Sequence, residues 1–159
     1  YIIGIDDNGQ REFQAEVREI ITTHRVFSGG KRHYELMRDR LPEQYVWIDI
    51  TVPLEEVFEK YAAYCEVVVF ASGDPLFFGF ANTVKSRLPE AEIQVFPWFN
   101  SLQMLAHRLV IPYQDMEVVS LTGRPASFVP PDIHGYNRSL HGIVLLWSSP
   151  PSLFRLQTI

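Results

Sequence analysis

The sequence has a single cysteine, Cys65, in 159 residues, so no internal disulfide can form. Its apolar setting, YAAYCEVVVF, predicts a packed thiol rather than a nucleophile. No apolar run approaches the ~20 residues that a membrane-spanning helix needs, and the sequence opens on the strand-like YIIGI rather than on a signal peptide. Together these absences predict a cytoplasmic protein with no membrane partner. A net charge of −5 argues against general nucleic-acid binding, although Lys31-Arg32-His33 makes a short basic run. The G-x-x-x-x-G-K-[ST] and G-x-G-x-x-G patterns are missing, which removes support from nucleotide hydrolysis and dinucleotide redox chemistry. There is no HExxH, no triad pattern and no cysteine–histidine metal spacing, so no metal site is expected.

What is present is an ordinary globular composition, 47% apolar and 21% charged. Short β-rich runs alternate with amphipathic segments: YIIGI (1–5), RVFS (25–28), YVWIDI (45–50), EVVVFA (66–71), EIQVF (92–96) and EVVSL (117–121). Six strands with helices between them predict an α/β fold, a largely parallel sheet flanked by helices. Leu54, Val57, Phe58, Tyr61 and Ala62 fall at helical spacing, as do Phe99, Leu102, Leu105, Ala106, Leu109 and Val110, and both stripes read as core. Pro53 and Pro75 suit the first turns of helices, where a missing N–H costs nothing. The pattern changes after VVSLTGRP. Residues 1–122 read as an N-terminal α/β domain, and 123–159 as a linker followed by the start of a second, smaller α/β domain whose buried strand is GIVLLW. Only twelve residues follow that strand, so the sequence is expected to be cut short relative to a complete molecule.

Ligands of open α/β sheets lie at the carboxyl ends of the strands, which directs attention to GIDDNG (4–9), SGGKRH (28–33), ASGDP (71–75), PWFNS (97–101) and TGRP (122–125). Asp6 and Asp7 either hold a cation or close a turn with their own side chains. Combined with Asp49 and Pro53 they resemble the acidic pocket of a phosphoacceptor receiver domain, but Phe96 stands before Pro97 where that chemistry needs a lysine. In SGGKRH, glycines followed by cations can hold an anion, or can be a tight turn with solvated Lys31 and Arg32. In ASGDP, Gly73 lets backbone approach a ligand, and Asp74 can cap a helix begun at Pro75 or accept from a ribose or an amino group. A cap leaves Phe77 and Phe78 unexplained, because they stand beside the strand ends where a ligand would sit.

SGDPLFFG resembles the GDP-containing motif of the tetrapyrrole (corrin and sirohaem) methylases, two-domain α/β enzymes that bind S-adenosylmethionine between the domains. GIDDNG, VFSGGKRHYEL and VVSLTGRP resemble further motifs in the order found in the branch that methylates carbon 5 of a precorrin. The resemblance runs from residue 1 to about Pro125. It implies methyl transfer to a ring carbon of a precorrin-6Y or precorrin-7 type substrate in cobalamin biosynthesis, with S-adenosylhomocysteine as product. It carries cofactor contacts onto Asp7, Ser72, Gly73, Asp74, Phe77, Asn100 and Ser101, and onto Trp147 in the second domain. Lys31, Arg32 and Arg124 become the cations for the substrate's carboxylates. Phe77 is expected nearest the ligand, with Phe78 assigned to packing. A homodimer and a decarboxylating partner domain or subunit are also implied, while no side-chain nucleophile is required and no catalytic base is identified. The other readings are a receiver-like signalling domain and a non-catalytic α/β interaction domain.

Overall fold

In the computed structural model, the described residues are 1–6, 12–114, 116–120 and 143–146. The chain divides into two compact units, Tyr1–Asn100 and Ser101–Ile159.

The first unit alternates strand and helix as its sequence pattern predicts. Strands β1 (Ile2–Ile5), β2 (Val26–Gly29), β3 (Val46–Asp49), β4 (Val68–Ser72) and β5 (Val95–Phe96) are joined through helices α1 (Ala15–Thr23), α2 (Lys31–Met37), α3 (Glu55–Tyr61) and α4 (Phe80–Arg87). All five strands are parallel, in the order β3-β2-β4-β1-β5. The central strands β1 and β4 are buried on both faces and rich in Val, Ile and Phe, which suits a parallel sheet covered by helices.

Strand alternation divides the core into two layers. Ile3, Ile5, Phe27, Val68 and Phe70 point to one face, where Val17, Ile20 and Ile21 of α1 and Met37 of α2 cover them. Ile2, Ile48, Val69 and Ala71 point to the other, against Val57, Phe58 and Tyr61 of α3 and Ala81 and Val84 of α4. Phe27 and Phe70 are wholly buried and stacked at 6.0 Å, and Trp47 stacks on Phe70 at 6.2 Å. Each such side chain stabilises the fold by about 1.5–3 kcal/mol relative to exposure. One polar link crosses this core: Ser28 Oγ donates to the Ile48 carbonyl at 2.7 Å, so the Tyr61 hydroxyl, 2.6 Å away, donates to Ser28. Burial pushes the Tyr61 phenol up to about 12, against the opposing pull of the Ser28 hydrogen bond.

The second unit contains α5 (Ser101–Leu109) and a parallel pair, β6 (Glu117–Ser120) with β7 (Ile143–Leu146). The run at 117–121 was expected to extend the first sheet, and it pairs instead with the GIVLLW strand. Leu102 and Ala106 of α5 are buried, whereas the expected stripe fails at its ends, with Phe99, Leu109 and Val110 exposed. The helix stops because Val110 adopts φ +53°. The Ile111 N–H then reaches the Ala106 carbonyl at 3.1 Å and the Val110 N–H reaches His107 at 3.4 Å, the two bonds of a Schellman terminus. In the first unit Ala62 is likewise exposed, falling just past the end of α3, and Cys65 is exposed rather than packed.

Candidate functional site

The sheet order locates the site. From β1 the chain passes over β4 to β2, and α1 and α2 lie on one face. From β4 it passes over β1 to β5, and α3 and α4 lie on the other. Connections therefore leave the adjacent strands β1 and β4 in opposite directions, which opens a crevice at their carboxyl ends. Ile5 is in register with Ser72 there, so the loop that follows Ser72 is at the mouth of this crevice.

Gly73 joins three strand ends. Its N–H donates to the Ile5 carbonyl at 2.9 Å, and its own carbonyl accepts from the Trp98 N–H at 3.1 Å. It has φ +60°, and a Cβ there would stand 3.0 Å from the Phe99 carbonyl oxygen and 3.2 Å from Asn100 Cα. The space a side chain would need is thus filled by the loop after β5. Beside its expected role of giving a ligand access to backbone, this glycine serves as a joint between loops. Gly4 lies beneath: a Cβ on it would overlap the Gly73 carbonyl oxygen and come within 2.7 Å of the Trp98 nitrogen.

Asp74 caps a turn and not a helix. Its Oδ1 accepts from the Leu76 N–H at 2.9 Å, and its carbonyl accepts from Phe77 at 3.1 Å. Helix α4 begins at Phe80, five residues later than the proline signal implied. The delay has a local cause, since Phe78 takes φ +53° and Gly79 is extended. Gly79 lacks the Cβ that would collide with the Pro75 backbone, and the Pro75 carbonyl accepts from Ala81 at 3.1 Å. Asn82 Nδ2 ties the loop further, donating to the Leu76 carbonyl at 2.9 Å. The packing expected of Phe78 falls to Phe80, which stacks on Phe58 at 6.2 Å. Phe78 itself is 43% exposed and meets half-buried Phe77 edge-on at 4.9 Å.

Of the residues singled out from sequence, Ser72, Gly73, Asp74, Phe77 and Asn100 gather around this loop. Ser101 is the exposed first residue of α5, in the second unit. Lys31 and Arg32 are exposed in the first turn of α2. Asp7, Arg124 and Trp147 lie outside the described residues. Sequence reasoning noted His33 only as part of a basic run and gave it no site role, yet its Nε2 is 3.0 Å from Ser72 Oγ. Its signal was its place at the third position of α2 behind a glycine pair, where a side chain can reach back to the helix start.

The receiver reading fails on topology. That fold has the strand order 2-1-3-4-5, which sets β3 beside β1. Here β3 is an edge strand paired to β2, and Asp49 accepts from Trp47 Nε1 at 2.9 Å. A hollow of about 420 Å³ along that edge, lined by Trp47, Asp49, Lys60 and Tyr64 among others, shares no residue with the Ser72–Phe78 loop. Among the described residues no group of three His, Cys, Asp or Glu side chains is placed to hold a metal ion. Nor is any described helix long and apolar enough to cross a membrane.

No family model matches the chain. A precorrin-6Y C(5,15)-methyltransferase [decarboxylating] from Sinorhizobium sp. is 37% identical over 136 residues, which is 84% of this chain. The chain is homologous to the precorrin methyltransferases. A cobalt-precorrin-7 C(5)-methyltransferase from Salmonella typhimurium is 27% identical over 80% of the chain. The chain spans 32% of the length of the first of these precorrin methyltransferases and 63% of the second. A cobalamin-biosynthesis precorrin-6Y methylase from Archaeoglobus fulgidus superposes with a TM-score of 0.57 at 22% identity, covering 75% of this chain and 62% of that one. The first unit accordingly has the α/β fold of a tetrapyrrole methylase.

The loop at the switch point suits the zwitterionic, sulfonium-bearing cofactor that methyltransferases of this family use. Ser72 brings a hydroxyl, Asp74 a carboxylate with one oxygen engaged in the turn, and Leu76, Phe77 and Phe78 an apolar surface beside them. An ammonium, a hydroxyl and a flat adenine ring each find a chemically matched neighbour in that set.

Proposed function

We propose that this chain forms the carbon-5-methylating part of a precorrin methyltransferase of cobalamin biosynthesis, using S-adenosylmethionine on a precorrin-6Y or precorrin-7 type substrate. The observation that carries the reading is the 37% identity to a precorrin-6Y C(5,15)-methyltransferase across 84% of the chain. The 27% identity to a C(5)-methyltransferase supports the choice of ring carbon.

When bound, the cofactor supplies a sulfonium methyl group open to attack by an electron-rich carbon, so the protein's task is alignment and exclusion of water. In this reading the second oxygen of Asp74 accepts from an amino or ribose group, Ser72 and Asn100 hold further polar atoms, and Phe77 makes the apolar wall. Ser101, Asp7 and Trp147 are proposed as additional contacts. Lys31, Arg32 and Arg124 meet the acetate and propionate carboxylates of the macrocycle. The unit from Ser101 onward is taken as part of the second α/β domain of such an enzyme. A cytoplasmic homodimer working with a decarboxylating domain or subunit completes the proposal.

Calorimetry of S-adenosylhomocysteine against the full-length protein tests it. Saturable binding is expected, weakened about tenfold or more in Asp74→Ala through loss of hydrogen bonds to a charged group. Gly73→Val, which forces a branched side chain onto the Phe99 and Asn100 backbone, should bind no ligand. Absence of binding by the unaltered protein would refute the assignment.

A further inference from the structure

His33 is held from two sides. The Gly30 N–H donates to its Nδ1 at 3.2 Å, and its Nε2 is 3.0 Å from Ser72 Oγ. Room for it exists only because position 29 is glycine: a Cβ there would lie 2.9 Å from His33 Cβ and 3.1 Å from the Trp47 ring. An imidazole nitrogen that accepts a hydrogen bond carries a lone pair, so the ring proton resides on Nε2. Nε2–H therefore donates, and Ser72 Oγ accepts. A hydroxyl that accepts in this way keeps its own proton for a different partner.

We propose that His33 is a positioning residue that sets the polarity of Ser72, making the serine a hydrogen-bond donor toward an acceptor atom of the bound cofactor. The inference rests on the methyltransferase reading above. It links the glycine pair at the end of β2 to the strand end of β4, because Gly29 makes the space, Gly30 fixes the tautomer, and His33 passes the orientation across to the neighbouring strand. Val68 and Phe70 face the α1–α2 layer, so by strand alternation Ser72 points to the same side as α2.

Glutamine and glutamate at position 33 separate this role from a purely structural one. Both can reach back to the helix start from the third position and so preserve the fold. Glutamine offers one acceptor and one donor, as the imidazole does. Glutamate offers acceptors alone and would draw the Ser72 proton to itself. In calorimetry of S-adenosylhomocysteine with the full-length protein, Ser72→Ala should bind about three- to tenfold more weakly, the worth of one hydrogen bond. His33→Gln should stay within about twofold of the unaltered protein, and His33→Glu should match Ser72→Ala. In a Ser72→Ala background His33→Glu should add nothing further. Nitrogen-15 spectra of labelled histidine should show Nδ1 unprotonated. Equal affinities for the glutamine and glutamate variants, an undiminished glutamate effect without Ser72, or a proton on Nδ1 would each overturn the inference while leaving the methyltransferase assignment intact. Failure of the unaltered protein to bind the ligand at all would overturn both.

Discussion

Replacing Gly73 with alanine probes the joint that holds the ends of β1, β4 and β5 together. Two costs add. The left-handed backbone, φ +60°, disfavours any residue with a Cβ by about 1–2 kcal/mol. The new methyl group also lies 3.0 Å from the Phe99 carbonyl oxygen and 3.2 Å from Asn100 Cα. These are backbone atoms that cannot rotate aside, and overpacking of this kind costs about 1–3 kcal/mol. The expected loss is about 2–5 kcal/mol, within the ordinary stability of a domain. Urea denaturation followed by tryptophan fluorescence measures it, because Trp98 donates to the Gly73 carbonyl and its surroundings shift with the loop. The midpoint should fall with the slope unchanged. Gly73→Asn divides the two costs, since asparagine tolerates the left-handed region but keeps the Cβ, and it should lose about half as much. An alanine variant within about 0.5 kcal/mol of the unaltered protein would show that the loop after β5 yields freely, and the account of Gly73 as a joint would be wrong.

Tyr61→Phe removes a phenol whose folded value is about 12 against 10.0 unperturbed. Between those values the unfolded chain loses a proton that the folded chain keeps, so folding stability is intact below pH 10 and declines as pH rises toward 12. The decline is about 1.4 kcal/mol per pH unit. From pH 9 to pH 11 the unaltered protein should therefore lose about 1.4 kcal/mol more than the phenylalanine variant, and parallel profiles would contradict the buried-phenol account. Val110→Gly should raise stability by about 0.5–1 kcal/mol, because a β-branched residue holds φ +53° at the end of α5 while 89% exposed, with little packing to lose. A lowered urea midpoint would speak against strain at that terminus.

The strands were legible because β-branched and aromatic runs bounded by glycine, proline and aspartate mark buried parallel strands, and all seven lie within a few residues of their expected places. Their order was not legible. Nothing local in EVVVFA says that it inserts between β1 and β2, and that insertion is what excludes the receiver topology and creates the switch point. Helix starts were misread where two signals coincided. Asp74-Pro75 has the chemistry of a helix cap, yet the left-handed Phe78 and the Gly79 contact with Pro75 complete a turn first. Ser72, Gly73 and Asp74 stood out because the motif is polar at a strand end. The hold of His33 on Ser72 did not, since it depends on which strands are neighbours.

The place of β4 has a consequence for how the protein is made. A growing chain that has not yet emerged past Val68 possesses β1, β2 and β3, but β1 and β2 are not partners, so the first strand waits without a neighbour. Pairings so distant along the chain close late. The segment that fills the gap ends in Ser72, and the same few residues that make the sheet continuous deliver the crevice loop. Continuity of β3, β2, β4 and β1 and the Ser72–Phe78 loop thus arrive in a single step of synthesis, and β5 with Asn100 completes the site afterwards.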